Sequence, residues 1–272
     1  MARCIKQRSI VVLALLMLVA AAPQASAGQD GRKLAPLFAQ QVGRRLSVPQ
    51  QEQQRYAELL ASTLADAGIP ELPPEYVVLV DRNPHIQAAM IFWKPPDGPF
   101  QFIGATAVST GRPGEYDHFE TPLGVYDHVL DNPDFRSEGT LNEFGIRGYG
   151  AQGRRIFDFG WVTTPKGWGN HAPSEMRLQL HATDPDILEQ RLGTIQSKGC
   201  IRTNASFNTF LDRYGILDGH YEHAMSRGET FWVLSSTREP TPWSGRYLVI
   251  VDTERKVRPA WAGRPDDQRR AR

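Results

Sequence analysis

The stretch Ser197-Lys198-Gly199-Cys200-Ile201-Arg202, read together with His181 upstream of it, organises the reading of this chain. The sequence holds two cysteines, Cys4 and Cys200. Cys4 lies in an N-terminal segment with the marks of an export signal, so Cys200 is the one thiol expected in the mature chain. A lone thiol in an exported protein has no internal disulfide partner, and a reactive nucleophile is the leading reason for its presence. The competing reading is a small buried hydrophobe, the commonest role of a lone cysteine.

The signal is built from Arg3, Lys6 and Arg8 as a positive start, Ile10 to Ala22 as an apolar run, and Ala25-Ser26-Ala27 as a small-x-small cleavage site. The apolar run is short for a bilayer-spanning helix, and its flanks fit a signal peptide over residues 1–27. No later segment is apolar enough to cross a membrane. The mature chain is therefore expected to be soluble and exported, periplasmic or cell-wall associated, with no stable membrane insertion. A net charge of +1 from 31 basic and 30 acidic residues carries no electrostatic footprint for nucleic acid. Twenty-four glycines and 20 prolines imply many turns and favour a β-rich fold.

Outward from the cysteine, Thr203 to Tyr214 reads as a helix, with Phe207, Phe210 and Leu211 on one face and Gly215 at its end. Leu178 to His181 reads as a strand. Tyr76–Val80, Ala88–Trp93 and Phe100–Val108 are rich in Val, Ile and aromatics. Turns at Arg82–Pro84 and Pro95–Pro99 separate them, which predicts antiparallel strands. Phe231–Leu234 and Tyr247–Val251 are expected as late strands. Ser47 to Gly68 reads as a helix capped by Ser47, with Pro49 in its first turn and Tyr56, Leu59, Leu60 and Leu64 at helical spacing; Gly68 and Pro70 end it. Gly28 to Leu46 is polar, weakly patterned and expected to be mobile. The tail after Glu254 is expected to fray. There is no internal repeat.

Gly199 lets the backbone turn sharply and approach a substrate, and backbone N–H groups of this loop are candidate oxyanion donors. The positive end of the following helix is expected to favour a thiolate. A free thiol titrates near about 8.5, so a few per cent is ionised at neutral pH and a base is needed. His181, at the end of an apolar strand, is the candidate general base and acid. Its bland alternative is a hydrogen-bonded structural histidine.

These residues carry a family resemblance. His181-Ala182-Thr183, Leu192-Gly193 and Ser197-Lys198-Gly199-Cys200-Ile201-Arg202 resemble the signature of the L,D-transpeptidase catalytic domain, the YkuD-type family. That family shows His-Gly-Thr, Leu-Gly and Ser-His-Gly-Cys-Ile/Val-Arg at similar spacing. Val78-Leu79-Val80-Asp81, Ser109-Thr110-Gly111 and Thr121-Pro122-Leu123-Gly124-Val125 resemble its upstream segments. The likeness spans roughly Tyr76 to Leu234. It implies a β-rich α+β fold: a curved sheet or sandwich with a helix after the catalytic cysteine, here preceded by a short N-terminal helix. The expected organisation is a signal (1–27), an N-terminal extension with one helix (28–75), a catalytic domain (76–253) and a charged tail (254–272).

The resemblance also implies an activity. Cys200 would attack the L,D bond after diaminopimelate in a peptidoglycan stem tetrapeptide, release the terminal D-Ala and pass the acyl group to an amine. The acceptor would be a second stem peptide, giving a 3–3 cross-link, or a lipoprotein. Carbapenems would acylate the same thiol, and no cofactor is implied. A close alternative is a carboxypeptidase, or a hydrolase that detaches proteins from peptidoglycan; a further one is a silent peptidoglycan-binding protein.

Three departures stand out. Ala182 replaces a usual Gly, and its carbonyl is placed to hold the imidazole tautomer. Lys198 replaces a common His. Its charge either lowers the Cys200 pKa, the reading preferred here, or faces solvent. The long Gly124–Leu178 stretch, with Arg147, Tyr149, Arg154, Arg155, Trp161, Lys166 and Trp168, is either a lid or substrate platform or a plain surface loop. Arg202 either grips a stem carboxylate or braces the loop, and bracing is preferred. Ser197 orients the loop. His171, the substitute base should His181 lie elsewhere, does not form a zinc pattern with His220 and His223, and no metal is expected. Gly148–Gly153 lacks a phosphate-loop pattern.

Overall fold

Strand β1 (Glu75–Asp81) is buried along its whole length, and that burial sets the layering. The computed structural model describes residues 30–264. β1 pairs antiparallel with β2 (Ala88–Lys94), which pairs antiparallel with β3 (Gln101–Ala107). Its other edge pairs parallel with β9 (Tyr247–Val251), which is flanked antiparallel by β4 (Gly124–Asp127). The resulting five-stranded order is β3-β2-β1-β9-β4. A second sheet runs β5 (Phe135–Arg136), β6 (Arg155–Pro165), β7 (Pro173–Ala182) and β8 (Ile201–Thr203). Both sheets are open, and the fold is mixed α/β.

A strand buried on both faces has no polar alternation, and β1 shows why. Val78 and Val80 face one core, with Ile91, Leu248 and Ile250 beside them and Phe157, Leu178, Leu180 and Ile201 of the second sheet across from them. Val77 and Leu79 face the other core, covered by Tyr56, Leu60 and Leu64 of α2 (Gln50–Asp66). The first core is closed by α1 (Leu34–Gln41) and α3 (Ala205–Tyr214). Phe38 of α1 meets Phe207 and Phe210 of α3 edge-on, at centroid distances of 6.2 and 5.3 Å. α3 has clear ends. Asn204 accepts the Phe207 N–H at its start, and Gly215 takes a left-handed φ of 59° at its finish.

Several sequence expectations are corrected. The 28–46 stretch is not loosely patterned: Leu34, Phe38 and Val42 recur every four residues and are buried under α1. Ser47 does not cap α2, because the helix starts at Gln50 and Pro49 occupies the cap position without a side-chain bond. Phe231–Leu234 is not a strand. It is a turn in which Leu234 N–H returns to the Phe231 carbonyl, while Val233 gives its carbonyl to Arg136 Nε. The tail does not fray at Glu254. Trp261 packs against Tyr56 with centroids 6.0 Å apart, Ala262 is buried, and Arg255 pairs with Glu52. Residues 1–27 and the last eight residues lie outside the described part. Among the described residues no helix is long and apolar enough to cross a membrane.

The 124–178 stretch is not chiefly a loop. It contributes β4, β5, β6 and most of β7. β6 escapes a sequence reading because Asp158 and a bulge at Phe159-Gly160 break its alternation. It is anchored by the buried Arg155, whose Nε meets Asp134 at 2.6 Å and whose Nη2 meets Asp218 at 2.7 Å.

Candidate active site

Side chains two apart on a strand share a face. On β7, Met176, Leu178 and Leu180 point into the core, so Arg177, Gln179 and His181 point away from it. β8 runs parallel to β7 with His181 opposite Arg202 and Leu180 opposite Ile201. Cys200, one residue before β8, therefore lies on the same face as His181 and Arg202. The two residues singled out in the sequence therefore share one face of the second sheet.

His181 is 4% exposed. Its Nδ1 lies 2.7 Å from the Ala182 carbonyl, so Nδ1 carries the proton and donates it there, leaving the Nε2 lone pair free. Burial drives its pKa down to about 4; Ala182 opposes that and the Arg202 cation adds to it. The imidazole is neutral at pH 7, as a base must be.

Cys200 is half-buried. Its Sγ lies 3.6 Å from the Arg177 carbonyl, and the Gln179 amide also bonds to the sulfur. Burial pushes the thiol up to about 11, partly offset by Gln179 and Arg202 and reinforced by Asp158. The expected pull of the following helix toward a thiolate is outweighed by this burial. α3 begins at Ala205, beyond β8, and its first amides are already taken: Ala205 N–H by Glu189 and Phe207 N–H by Asn204. The sulfur instead meets the Arg177 carbonyl and the Gln179 amide of β7.

The loop before the cysteine is held from three sides. Gly199 has φ 137°, and a Cβ there would sit 2.7 Å from Met176 Cε. Its N–H donates to Ser197 Oγ at 3.1 Å and its carbonyl accepts from Thr121 Oγ1 at 2.6 Å. Gly199 therefore supplies the turn of this loop, with its own N–H held by Ser197. Ser197 Oγ in turn donates to the Cys200 carbonyl at 2.5 Å, which is the orienting role expected of it. Thr121 Oγ1 also accepts the Gly111 N–H at 2.8 Å. The backbones of Ser109 and Arg202 exchange two hydrogen bonds of 2.9 and 2.8 Å. Arg202 Nη1 reaches the Gln196 carbonyl at 3.3 Å, which is the bracing geometry.

Lys198 points elsewhere. It is 60% exposed and pairs at 2.9 Å with Asp117, itself 56% exposed. It is not among the groups acting on the Cys200 sulfur, so the preferred reading of its charge gives way to the solvated one. Ala182 is fully buried, and it fits because the facing residue is Gly150, where a Cβ would lie 2.9 Å from the Ala182 Cβ. His171 bonds the Lys166 carbonyl from an exposed position. His220 pairs with Asp127, and His223 is exposed on α4 (Gly219–Ser226). Among the described residues no group of His, Cys, Asp and Glu is placed to hold a metal.

Sequence reasoning named Tyr149 only as part of a lid, platform or surface loop, and missed Gln179, Asp158 and Arg177 around the pair. Tyr149 packs edge-on against His181 at 4.7 Å and donates its hydroxyl to Gln179 Oε1 at 3.1 Å. Gln179 Nε2 then donates to Asp158 Oδ2 at 2.9 Å, which also takes Arg177 Nε at 2.7 Å. Asp158 Oδ1 accepts the bulge amide of Gly160 at 2.8 Å. The period of two back from His181 marks Gln179 and Arg177. No local signal marks Asp158 or Tyr149, which arrive from β6 and from the 137–154 loop.

Neither a protein-family model nor a curated protein matches the chain. Two solved structures resemble it faintly. One is Bd1075 of Bdellovibrio bacteriovorus, at 15% identity and a TM-score of 0.28, covering 66% of this chain and 48% of that one. The other is a fused Zn-dependent amidase/peptidase/peptidoglycan-binding domain-containing protein of Clostridium acetobutylicum, at 11% identity and a TM-score of 0.25, covering 75% of this chain and 63% of that one. The chain thus spans about half of the first and under two thirds of the second.

Proposed function

We propose that this chain is an exported cysteine L,D-transpeptidase acting on peptidoglycan stem tetrapeptides. The observation that carries the reading is the shared face of His181 on β7 and Cys200 at the entry to the parallel strand β8, with the imidazole neutral and its Nε2 unprotonated. Neutral thiol and neutral imidazole are the resting state, so the proton moves as the sulfur attacks. His181 Nε2 takes the thiol proton while Sγ bonds to the carbonyl carbon of diaminopimelate. The C–N bond to the terminal D-Ala then breaks, Nε2 returns the proton to the departing amine, and a thioester remains. An acceptor amine, from a second stem peptide or a lipoprotein, attacks the thioester carbonyl and passes its proton to Nε2; the C–S bond breaks and Nε2 returns the proton to the departing Cys200 sulfur. With Gly199 N–H given to Ser197, the Cys200 amide is the next donor in line for the oxyanion. The chemistry needs no cofactor.

Incubation of the purified protein with tetrapeptide muropeptides, read by mass spectrometry, tests the reading. Cross-linked dimers support it. Tripeptides alone would assign the same acyl-enzyme to a hydrolase, and unchanged tetrapeptide would leave a binding protein. A carbapenem should add its mass to Cys200.

A further inference from the structure

Arg177 stands two residues before Gln179, on the face that carries Cys200 and His181. Its own carbonyl touches the sulfur. Its guanidinium is held by one edge: Nε donates to Asp158 at 2.7 Å, and Asp158 is 1% exposed. Its carbon stands 5.7 Å from the ring centroid of Trp161, the residue paired with it on β6, and that ring is 64% exposed. Among the described residues no acceptor meets Nη1 or Nη2. Neutralising Asp158 requires only a positive charge, which the Nε contact supplies. What remains is a planar pair of donors, fixed in direction and backed by an aromatic wall, about 7 Å along the strand from the residue beside the sulfur. Two parallel N–H groups match the two oxygens of a carboxylate.

We infer that Arg177 is a specificity-determining residue that takes, through Nη1 and Nη2, a substrate carboxylate flanking the scissile bond. This rests on the proposed reaction, whose stem tetrapeptide offers two such groups: the C-terminal carboxylate of the leaving D-Ala and the side-chain carboxylate of diaminopimelate. Either lies within one residue of the attacked carbonyl.

The test is read as binding to Cys200→Ala protein, so a failure of turnover in the native enzyme, which would overturn the proposed reaction, is scored separately. Calorimetry compares the tetrapeptide with two analogues, one amidated at the C-terminus and one at the diaminopimelate side chain. With Arg177 in place, one analogue should bind about tenfold more weakly than the parent; which one it is identifies the carboxylate. Arg177→Met should reduce that ratio to about twofold or less. Arg177→Lys keeps a cation for Asp158 and guards against misfolding. It should also lower the ratio, because one ammonium cannot serve Asp158 and a forked acceptor together. Equal binding of all three peptides by the Arg177 protein, or a ratio unchanged in Arg177→Lys, would overturn the inference.

Discussion

His181 and Arg202 stand opposite each other in the parallel β7–β8 ladder, and the Arg202 cation acts on both members of the candidate pair. It lowers the pKa of the imidazole and also that of the Cys200 thiol. Arg202→Met should therefore raise both. Imidazole NMR titration and the pH dependence of thiol alkylation measure the two shifts, and a downward move of either contradicts the assignment. The lost bond to Gln196 should cost about 1 kcal/mol of stability.

His181 also predicts the shape of the acid limb. In the folded chain it protonates near 4, against 6.5 for the unperturbed group. As pH falls through 6.5 the unfolded state takes the proton first, so stability declines between 6.5 and 4, by up to roughly 3 kcal/mol. That stability is fully present above 6.5. His181→Gln should flatten this limb and abolish turnover; denaturant unfolding at pH 4.5 and 7.5 checks the first claim.

Burial of the thiol predicts slow alkylation. The iodoacetamide rate should climb until pH approaches about 11. Lys198→Met should give a coincident profile, because the Lys198–Asp117 pair is exposed and screened. A displaced profile would restore a direct role for the lysine. Cys200→Ala should remove turnover and leave the melting temperature within a few degrees of the parent.

Thr121 ties Gly111 and Gly199 together through one buried hydroxyl. Thr121→Val keeps the shape and deletes both bonds, leaving a buried N–H and a buried carbonyl unmet. We expect a loss of about 2–3 kcal/mol and a fall in kcat larger than any change in KM, since the cysteine loop loses its brace. Thr121→Ser should recover most of both.

Glu75, at the start of β1, is 7% exposed. Burial pushes its carboxyl up to about 7, with Arg246 opposing and Asp127 adding. Because the folded pKa is raised, its stability contribution is present below about 4.5 and is lost as pH rises to 7. Glu75→Gln should melt higher than the parent at pH 8 and no higher at pH 4. An unchanged difference between the two pH values would refute this.

The sequence by itself determined what is encoded locally. Apolar runs placed β1, β2, β3 and β9, and a lone thiol after a glycine, with a histidine ending an upstream strand, marked the pair that the sheet brings to one face. Helical spacing found α2 and α3, although Ser47 was mistaken for the cap. The tertiary structure decided what depends on distant neighbours. The thiol of Cys200 rises instead of falling because its pKa answers to burial and to Asp158 from another strand, not to the helix that follows it in sequence. α1 is ordered because Phe38 finds Phe207 and Phe210, some 170 residues away. Phe231–Leu234 has strand composition but closes on itself in a turn, its Val233 carbonyl taken by Arg136. Tyr149, Gln179, Asp158 and Arg177 became a connected surround only through β6–β7 pairing and a bulge at Gly160. Local pattern records which face is buried; which groups meet across that face is set by packing between segments far apart in the chain.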